Sequence, residues 1–237
     1  MCRNAGVSGA MNAVVFYSNT GQSRTIAAFI AEQLAWPCTD IHYCTEEHYR
    51  HLVLVFPVYC QNIPNAVKSF LAWVTTDGLT VVATYGKMCA GNVLYEIQQQ
   101  YPHKIVAGAY VPTKHAYRTD DATFCAFDRL GPLIEKIKRP SEIVLPRRYK
   151  NPLADAWPKL RSRLGVRICR SAACNRCGAC NVQCTEGAMQ YGKPGRDCIR
   201  CLKCVATCPQ GALTVKMGLP MKLYLRKKKE NELILYI

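Results

Sequence analysis

Over residues 1–140, short unbroken apolar runs alternate with stretches in which apolar residues recur at helical spacing. The runs are Asn12–Tyr17 (NAVVFY), Leu52–Pro57 (LVLVFP), Leu79–Tyr85 and Lys104–Val111, with a weaker one at Cys38–His42. Between them, Gly21–Leu34 carries Ile26, Phe29, Ile30 and Leu34 on one face. Asn65–Trp73 does the same with Val67, Phe70 and Leu71, continued by Val74. Gly91–Gln100 and Ala122–Ile137 read as two further helices. A strand with apolar residues at consecutive rather than alternate positions needs cover on both faces. Strands of that kind separated by helices predict an α/β domain built on a doubly wound parallel sheet.

Beyond residue 138 the pattern changes. Pro140, Pro146, Pro152 and Pro158 interrupt a basic stretch that reads as a linker with a short helix near Leu153–Leu164. The divisions expected are an N-terminal extension (1–10), the α/β domain (11–140), a linker (141–168), a cysteine-rich module (169–217) and a basic tail (218–237). The tail holds the run Arg226–Lys229. No apolar run approaches the ~18 residues of a membrane helix. Met1–Ala10 lacks a long apolar core, so no secretory leader is expected, and Met11 is an alternative start.

The net charge of +15 is uneven. Residues 1–149 hold 14 Lys/Arg against 11 Asp/Glu, giving +3, and residues 150–237 hold 17 against 5, giving +12. Such a surface is expected to steer the protein to a partner with an acidic docking face. One four-residue basic run is too little to predict nucleic-acid binding.

The 15 cysteines set the chemistry. Cys174, Cys177, Cys180 and Cys184 form C-x2-C-x2-C-x3-C, and Cys198, Cys201, Cys204 and Cys208 repeat it 24 residues later without a gap. That spacing turns three thiolates onto one face of an iron–sulfur cluster and leaves the fourth to reach the neighbouring one. A zinc ribbon needs only C-x2-C pairs. Eight cysteines in cluster spacing argue for a reducing, cytoplasmic setting rather than disulfides, and cluster lability to oxygen adds an expectation of an anaerobe. Cys2, Cys38, Cys44, Cys60, Cys89, Cys125 and Cys169 show no mutual metal spacing. Arg170, Arg176, Arg196, Arg200 and Lys203 lie among or beside the ligands, and positive charge there raises a cluster's potential. Charge reversal at Arg176 and Arg200 that left the potentials unmoved would count against this.

The first strand runs into Ser18, Asn19, Thr20, Gly21, Gln22 and Ser23 and then a helix, a set of hydroxyls and free amides suited to an anion. It contains neither GxGxxG nor a Walker lysine. This S-x-T-G-x-S loop resembles the phosphate loop of flavodoxins. Two later loops fit the same resemblance: Pro57, Val58, Tyr59, Cys60, Gln61 and Asn62 after the third strand, and Thr84, Tyr85 and Gly86 after the fourth. The resemblance implies strand order 2-1-3-4-5, bound FMN, and Tyr59 and Tyr85 stacked on the flavin. Gly86 and Gly91 would admit backbone to the ring. Gln22 and Ser23 stand where Asn and Thr are usual in that family.

Cys169–Val215 resembles bacterial two-cluster ferredoxins. The resemblance implies one 4Fe-4S cluster on Cys174, Cys177, Cys180 and Cys208 and a second on Cys198, Cys201, Cys204 and Cys184. Thr185 follows Cys184 where a proline is expected, as Pro209 follows Cys208. The whole chain is similar to flavodoxin–ferredoxin fusion proteins, which implies electron transfer among FMN, two clusters and a partner enzyme. A flavin-dependent reductase acting on a small molecule or quinone at the flavin edge is the alternative, and a redox-sensing binding module a third. His115, in the loop after the fifth predicted helix-flanked strand, is a further candidate at the flavin.

Overall fold

The structure, a computed structural model, describes residues 10–118, 122–152, 154–156, 158–226 and 230–237. Nine residues of the N-terminal extension with Cys2, Leu153 of the linker, and residues 227–229 of the basic run lie outside the described residues.

The larger unit is mixed α/β with a mainly parallel central sheet. Its strands are β1 (Met11–Phe16), β2 (Cys38–Asp40), β3 (His48–Pro57), β4 (Thr75–Thr76), β5 (Leu79–Tyr85) and β6 (Ile105–Pro112). Its helices are α1 (Gln22–Leu34), α2 (Asn65–Trp73), α3 (Val93–Gln100) and α4 (Gly131–Lys138). The sheet runs β11-β6-β5-β3-β1-β2, with the two-residue β4 beside β3. β2, β1, β3, β5 and β6 are parallel, and β11 (Ile234–Tyr236) joins antiparallel to β6.

Alternation along the strands sorts side chains onto two faces. Leu52, Leu54 and Phe56 of β3 join Val67, Phe70, Leu94 and Ile97 under α2 and α3. Val53 and Val55 join Ile26, Ile30, Leu133 and Ile137 under α1 and α4. Both faces are covered, which is why these strands read as unbroken apolar runs.

The cysteine module is a small unit with its own core of Ile168, Met189, Leu213 and the buried Cys198 and Cys204. After α5 (Pro158–Gly165) it comprises β7 (Val166–Arg170), α6 (Ala179–Val182), β8 (Met189–Gln190), β9 (Lys193–Pro194), α7 (Lys203–Ala206) and β10 (Leu213–Met217). β7 pairs antiparallel with β10, so the module begins at Val166 rather than at Cys169. α8 (Leu219–Leu225) then leads back towards β11.

Three expectations change. The stretch 218–237, read as a basic tail, contains a helix and a strand of the main sheet. The helix expected over Ala122–Ile137 is confined to α4 and a preceding 3-10 turn at Phe127–Leu130. Gly131-Pro132 explains this, because proline lacks the N–H for an interior helical bond but suits a helix start. α3 starts at Val93, two residues beyond the left-handed Gly91 (φ +69°).

The module is spliced into the α/β unit: linker and α5 precede it, α8 and β11 follow it. Contacts tie the linker to the α/β unit. Gln61 Oε1 accepts from Asn151 N at 2.9 Å, and Asn62 Nδ2 donates to Ala154 O at 3.0 Å. Lys150 pairs with both Glu96 and Asp155 at 2.8 Å.

Candidate functional site

In parallel α/β sheets the open crevice lies beyond the carboxyl ends of the strands. Here the loops after β1, β3, β5 and β6 surround a cavity of about 160 Å³. Thr20, Gln22, Pro57, Val58, Tyr59, Cys60, Thr84 and Gly86 line it from the α/β unit, joined by Thr113–Tyr117. Ile199, Arg200 and Cys201 line it from the cysteine module. One cavity thus touches the predicted phosphate loop, the predicted ring loops and a predicted cluster ligand.

The 18–23 loop leads from β1 into the start of α1. Gly21 turns at φ +86°, and its N–H donates to Ser18 Oγ at 3.1 Å. α1 has no side-chain cap and no acid in its first turn. Its first N–H groups have no intrahelical acceptor, an arrangement chemically suited to an anion. Ser23 is not at the cavity wall; it is buried, with its hydroxyl 2.8 Å from that of Thr84.

Asn19 has a different task from the one its position suggests. Its Nδ2 donates to the Tyr17 hydroxyl at 3.0 Å and to the Tyr59 hydroxyl at 2.8 Å, while its Oδ1 accepts from Thr185 Oγ1 at 2.9 Å. The Tyr17 hydroxyl lies 3.1 Å from Thr185 Oγ1 and donates to Glu186 Oε1 at 3.2 Å. Burial pushes Tyr17 up to about 12 and Tyr59 well above its ordinary value. Both phenols stay protonated and hold the network as neutral groups. Thr185, which stands where the second repeat has Pro209, ties the module to this loop through Asn19.

Tyr59 and Cys60 reach the cavity from a two-residue hairpin. Tyr59 N donates to Asn62 O at 3.2 Å, Asn62 N donates to Tyr59 O at 2.8 Å, and Cys60 and Gln61 are both left-handed (φ +50° and +65°). Gln61 and Asn62 are absent from the cavity lining and make the linker contacts given above. Gly91 packs on Gln61: a Cβ there would lie 2.9 Å from Gln61 Cβ. Gly91 therefore allows one loop to approach another and does not line the cavity. Gly86 does line it, under His115, where an added Cβ would meet the imidazole at 2.7 Å.

Tyr85 is absent from the cavity. It is 2% exposed in the core, edge-on to Tyr110. Its hydroxyl donates to Glu232 O at 2.7 Å and accepts from Glu232 N at 3.1 Å, which anchors the lead into β11. The aromatic that the sequence reading did not place here is Tyr117. It lines the cavity, donates to Arg200 O at 2.8 Å, and from its N–H to His115 Nδ1 at 3.1 Å. Its position beyond the carboxyl end of β6 was the available signal. Nothing in the sequence pointed to the lining by Ser162, Met221 and Tyr224.

The eight motif cysteines fall into two sets. Cys174, Cys177, Cys180 and Cys208 line one hollow together with Arg176, Tyr191 and Pro209. In the other set, burial pushes Cys201 up to about 11 and Cys204 up to about 12, with Cys198 and Cys184 adding to both. Cys208, the fourth cysteine of the second repeat, therefore sits with the first three of the first. Backbone amides serve the sulfurs: Gly192 N donates to Cys180 Sγ and Ala188 N to Cys184 Sγ, both at 3.2 Å. Among the described residues, no group of three His, Cys, Asp or Glu is placed to hold a single metal ion. No helix among them is long and apolar enough to cross a membrane.

No protein-family model matches the chain, and no curated protein does. Among solved structures it is similar to a protein of Bacteroides uniformis assigned as a flavoprotein, at 18% identity and TM-score 0.39, over 45% of this chain and 93% of that one. It is also similar to a short-chain flavodoxin associated with a non-canonical PDU bacterial microcompartment, at 15% identity and TM-score 0.41, over 54% and 97%.

Proposed function

We propose that the chain is an electron-transfer flavo-iron–sulfur protein: FMN in the inter-unit cavity, and a 4Fe-4S cluster within each set of four cysteines. The observation that carries this reading is that Cys201 lines the same cavity as Thr20, Gln22, Tyr59 and Gly86. A hollow ringed by four thiols suits a cubane, whose own iron and sulfide fill the space between its ligands, and amide donors to sulfur are what such clusters use to set their potential. When bound, these groups supply one-electron steps at the clusters and storage of one or two electrons at the flavin.

The protein's part is to hold, insulate and order the sites. The 18–23 loop takes the phosphate with amides and hydroxyls, Tyr59 offers its ring to the flavin, and the docked module excludes water. Cys201 brings one set to the cavity, while Cys174, Cys177, Cys180 and Cys208 line a hollow walled by module residues, giving an inner and an outer port. The basic module is the face for an acidic redox partner. Transfer rates unchanged between low and physiological salt would remove that partner class.

The first test is an anaerobic reductive titration with iron, sulfide and flavin quantified. About eight iron, eight sulfide and one FMN per chain are expected. Iron without flavin overturns the flavin half of the reading. A second hollow of about 320 Å³ shares Tyr59, Cys60, Ser162 and Ile199 with the cavity and adds Lys68 and Glu186. It favours the alternative of a reductase with a small acceptor bound beside Tyr59. Flavin reoxidation that saturates with a quinone in the absence of any protein partner would select it.

A further inference from the structure

Arg200 is 7% exposed and lines the inter-unit cavity. Its Nε donates to Val166 O at 3.1 Å, which fixes the guanidinium, and its own carbonyl is held by Tyr117. Nη1 is buried with no hydrogen-bond partner. An unpaired N–H on a buried permanent cation is among the more costly features a fold can carry. It implies an acceptor that the polypeptide does not provide.

We propose that Nη1 of Arg200 donates to the N1–C2 carbonyl edge of the flavin and is the countercharge for the reduced ring. This rests on the proposed presence of FMN in the cavity. Two arguments select that edge. Arg200 is held by Tyr117, which donates to its carbonyl at 2.8 Å from the loop after β6, so it sits at the end of the ring loops rather than at the 18–23 loop. Of the two ends of an isoalloxazine, only the pyrimidine end offers acceptors, and negative charge collects there on reduction; the dimethylbenzene end offers none. A hydrogen bond that strengthens as its acceptor gains charge favours the reduced state over the oxidised one.

The test compares wild type, R200Q and R200K, each with iron and sulfide content checked. Oxidised FMN and riboflavin binding are measured by fluorescence quenching, and the flavin potential by anaerobic potentiometry. R200Q is expected to bind oxidised FMN within a few-fold of wild type and reduced FMN about tenfold or more weakly relative to it. A tenfold loss corresponds to a fall of about 30 mV in the two-electron potential. R200K, which keeps the charge, is expected to recover part of the fall. Should glutamine cost the protein its iron, 2-thioFMN in the wild type serves instead: its sulfur is a poor acceptor and is expected to bind more weakly than FMN. An unmoved potential in R200Q, or equal binding of 2-thioFMN and FMN, overturns the proposal. So does a loss of FMN with riboflavin unaffected, which would put Arg200 on the phosphate. A wild type that binds no flavin overturns the underlying function, and with it this inference.

Discussion

Arg176 and Arg200 occupy the same place in the two cysteine repeats, one residue before the second cysteine. Both hold a left-handed backbone, φ +58° and +60°. Arg176 is exposed and Arg200 is buried against the α/β unit. The residues that follow the second cysteines, Gly178 and Leu202, are also both left-handed and cap α6 and α7. Leu202 accepts a conformation that glycine adopts freely, and it packs on the module's core. Two near-identical local structures therefore meet different surroundings, and the surroundings assign the roles. The residues after the fourth cysteines divide the other way: Thr185 of the first repeat bonds to Asn19 of the α/β unit, and Pro209 of the second lines the outer hollow. An exposed charge is screened by water and salt while a buried one is not, so Arg200 should influence its neighbouring redox site more than Arg176 does.

The largest effect should come from removing one ligand from each set. Cys201→Ser and Cys177→Ser should each lose about half of the iron. Only Cys201→Ser should abolish flavin reduction by the protein's own clusters, read by stopped-flow absorbance. Equal behaviour of the two would erase the distinction between inner and outer port. Next comes exchange of the residues after the fourth cysteines. Thr185→Pro strands the buried Asn19 Oδ1 and should cost about 1–3 kcal/mol in chemical denaturation, whereas Pro209→Thr should stay within about 0.5 kcal/mol. A symmetric cost would mean that the Thr185 hydroxyl does not matter to the seam.

Tyr59 and Tyr85 sharpen the same contrast inside the α/β unit. Tyr59→Ala should weaken FMN binding about tenfold through lost stacking. Tyr85→Phe should leave FMN binding unchanged and cost about 1 kcal/mol of stability, through the Glu232 hydrogen bonds. The smallest effect lies at the far end of β3, away from both repeats. There burial lowers His51 from 6.5 to about 4. Its neutral form is the folded one, so the stability it contributes is full above the unfolded value and is lost as pH falls from about 6.5 towards 4. Between about pH 7.5 and 5.5 the loss should be about 1 kcal/mol, and His51→Gln should flatten it. Denaturation midpoints at the two pH values decide it.

Much of this was legible in the sequence where the physics is local. Consecutive apolar positions marked β1, β3, β5 and β6, and fixed cysteine spacing marked the two repeats. Loop chemistry marked Thr20, Gln22, Tyr59 and Gly86. Where the sequence misled, a distant partner had decided the outcome. All seven residues of β5 are buried, so no polar–apolar alternation told which face Tyr85 takes. Thr84 and Tyr85 point to opposite faces, and only Thr84 meets the cavity. Ile234–Tyr236 is three residues long and becomes a strand because β6 offers an open edge. Asn19 has the chemistry to bind a phosphate, but the nearby hydroxyls of Tyr17, Tyr59 and Thr185 claim it. Arg200 could be told from Arg176 only by which repeat docks.

The return of the chain to β11 also orders events during synthesis. The edge of β6 ends at Pro112 and its antiparallel neighbour starts at Ile234. At ribosomal speeds the intervening stretch takes roughly 6–24 s to emerge. For that time the nascent protein carries an open sheet edge, the kind of surface on which strands of other chains pair. Both cysteine motifs are made within that interval. On the proposed function, cluster insertion would fall in the same interval, before the sheet closes.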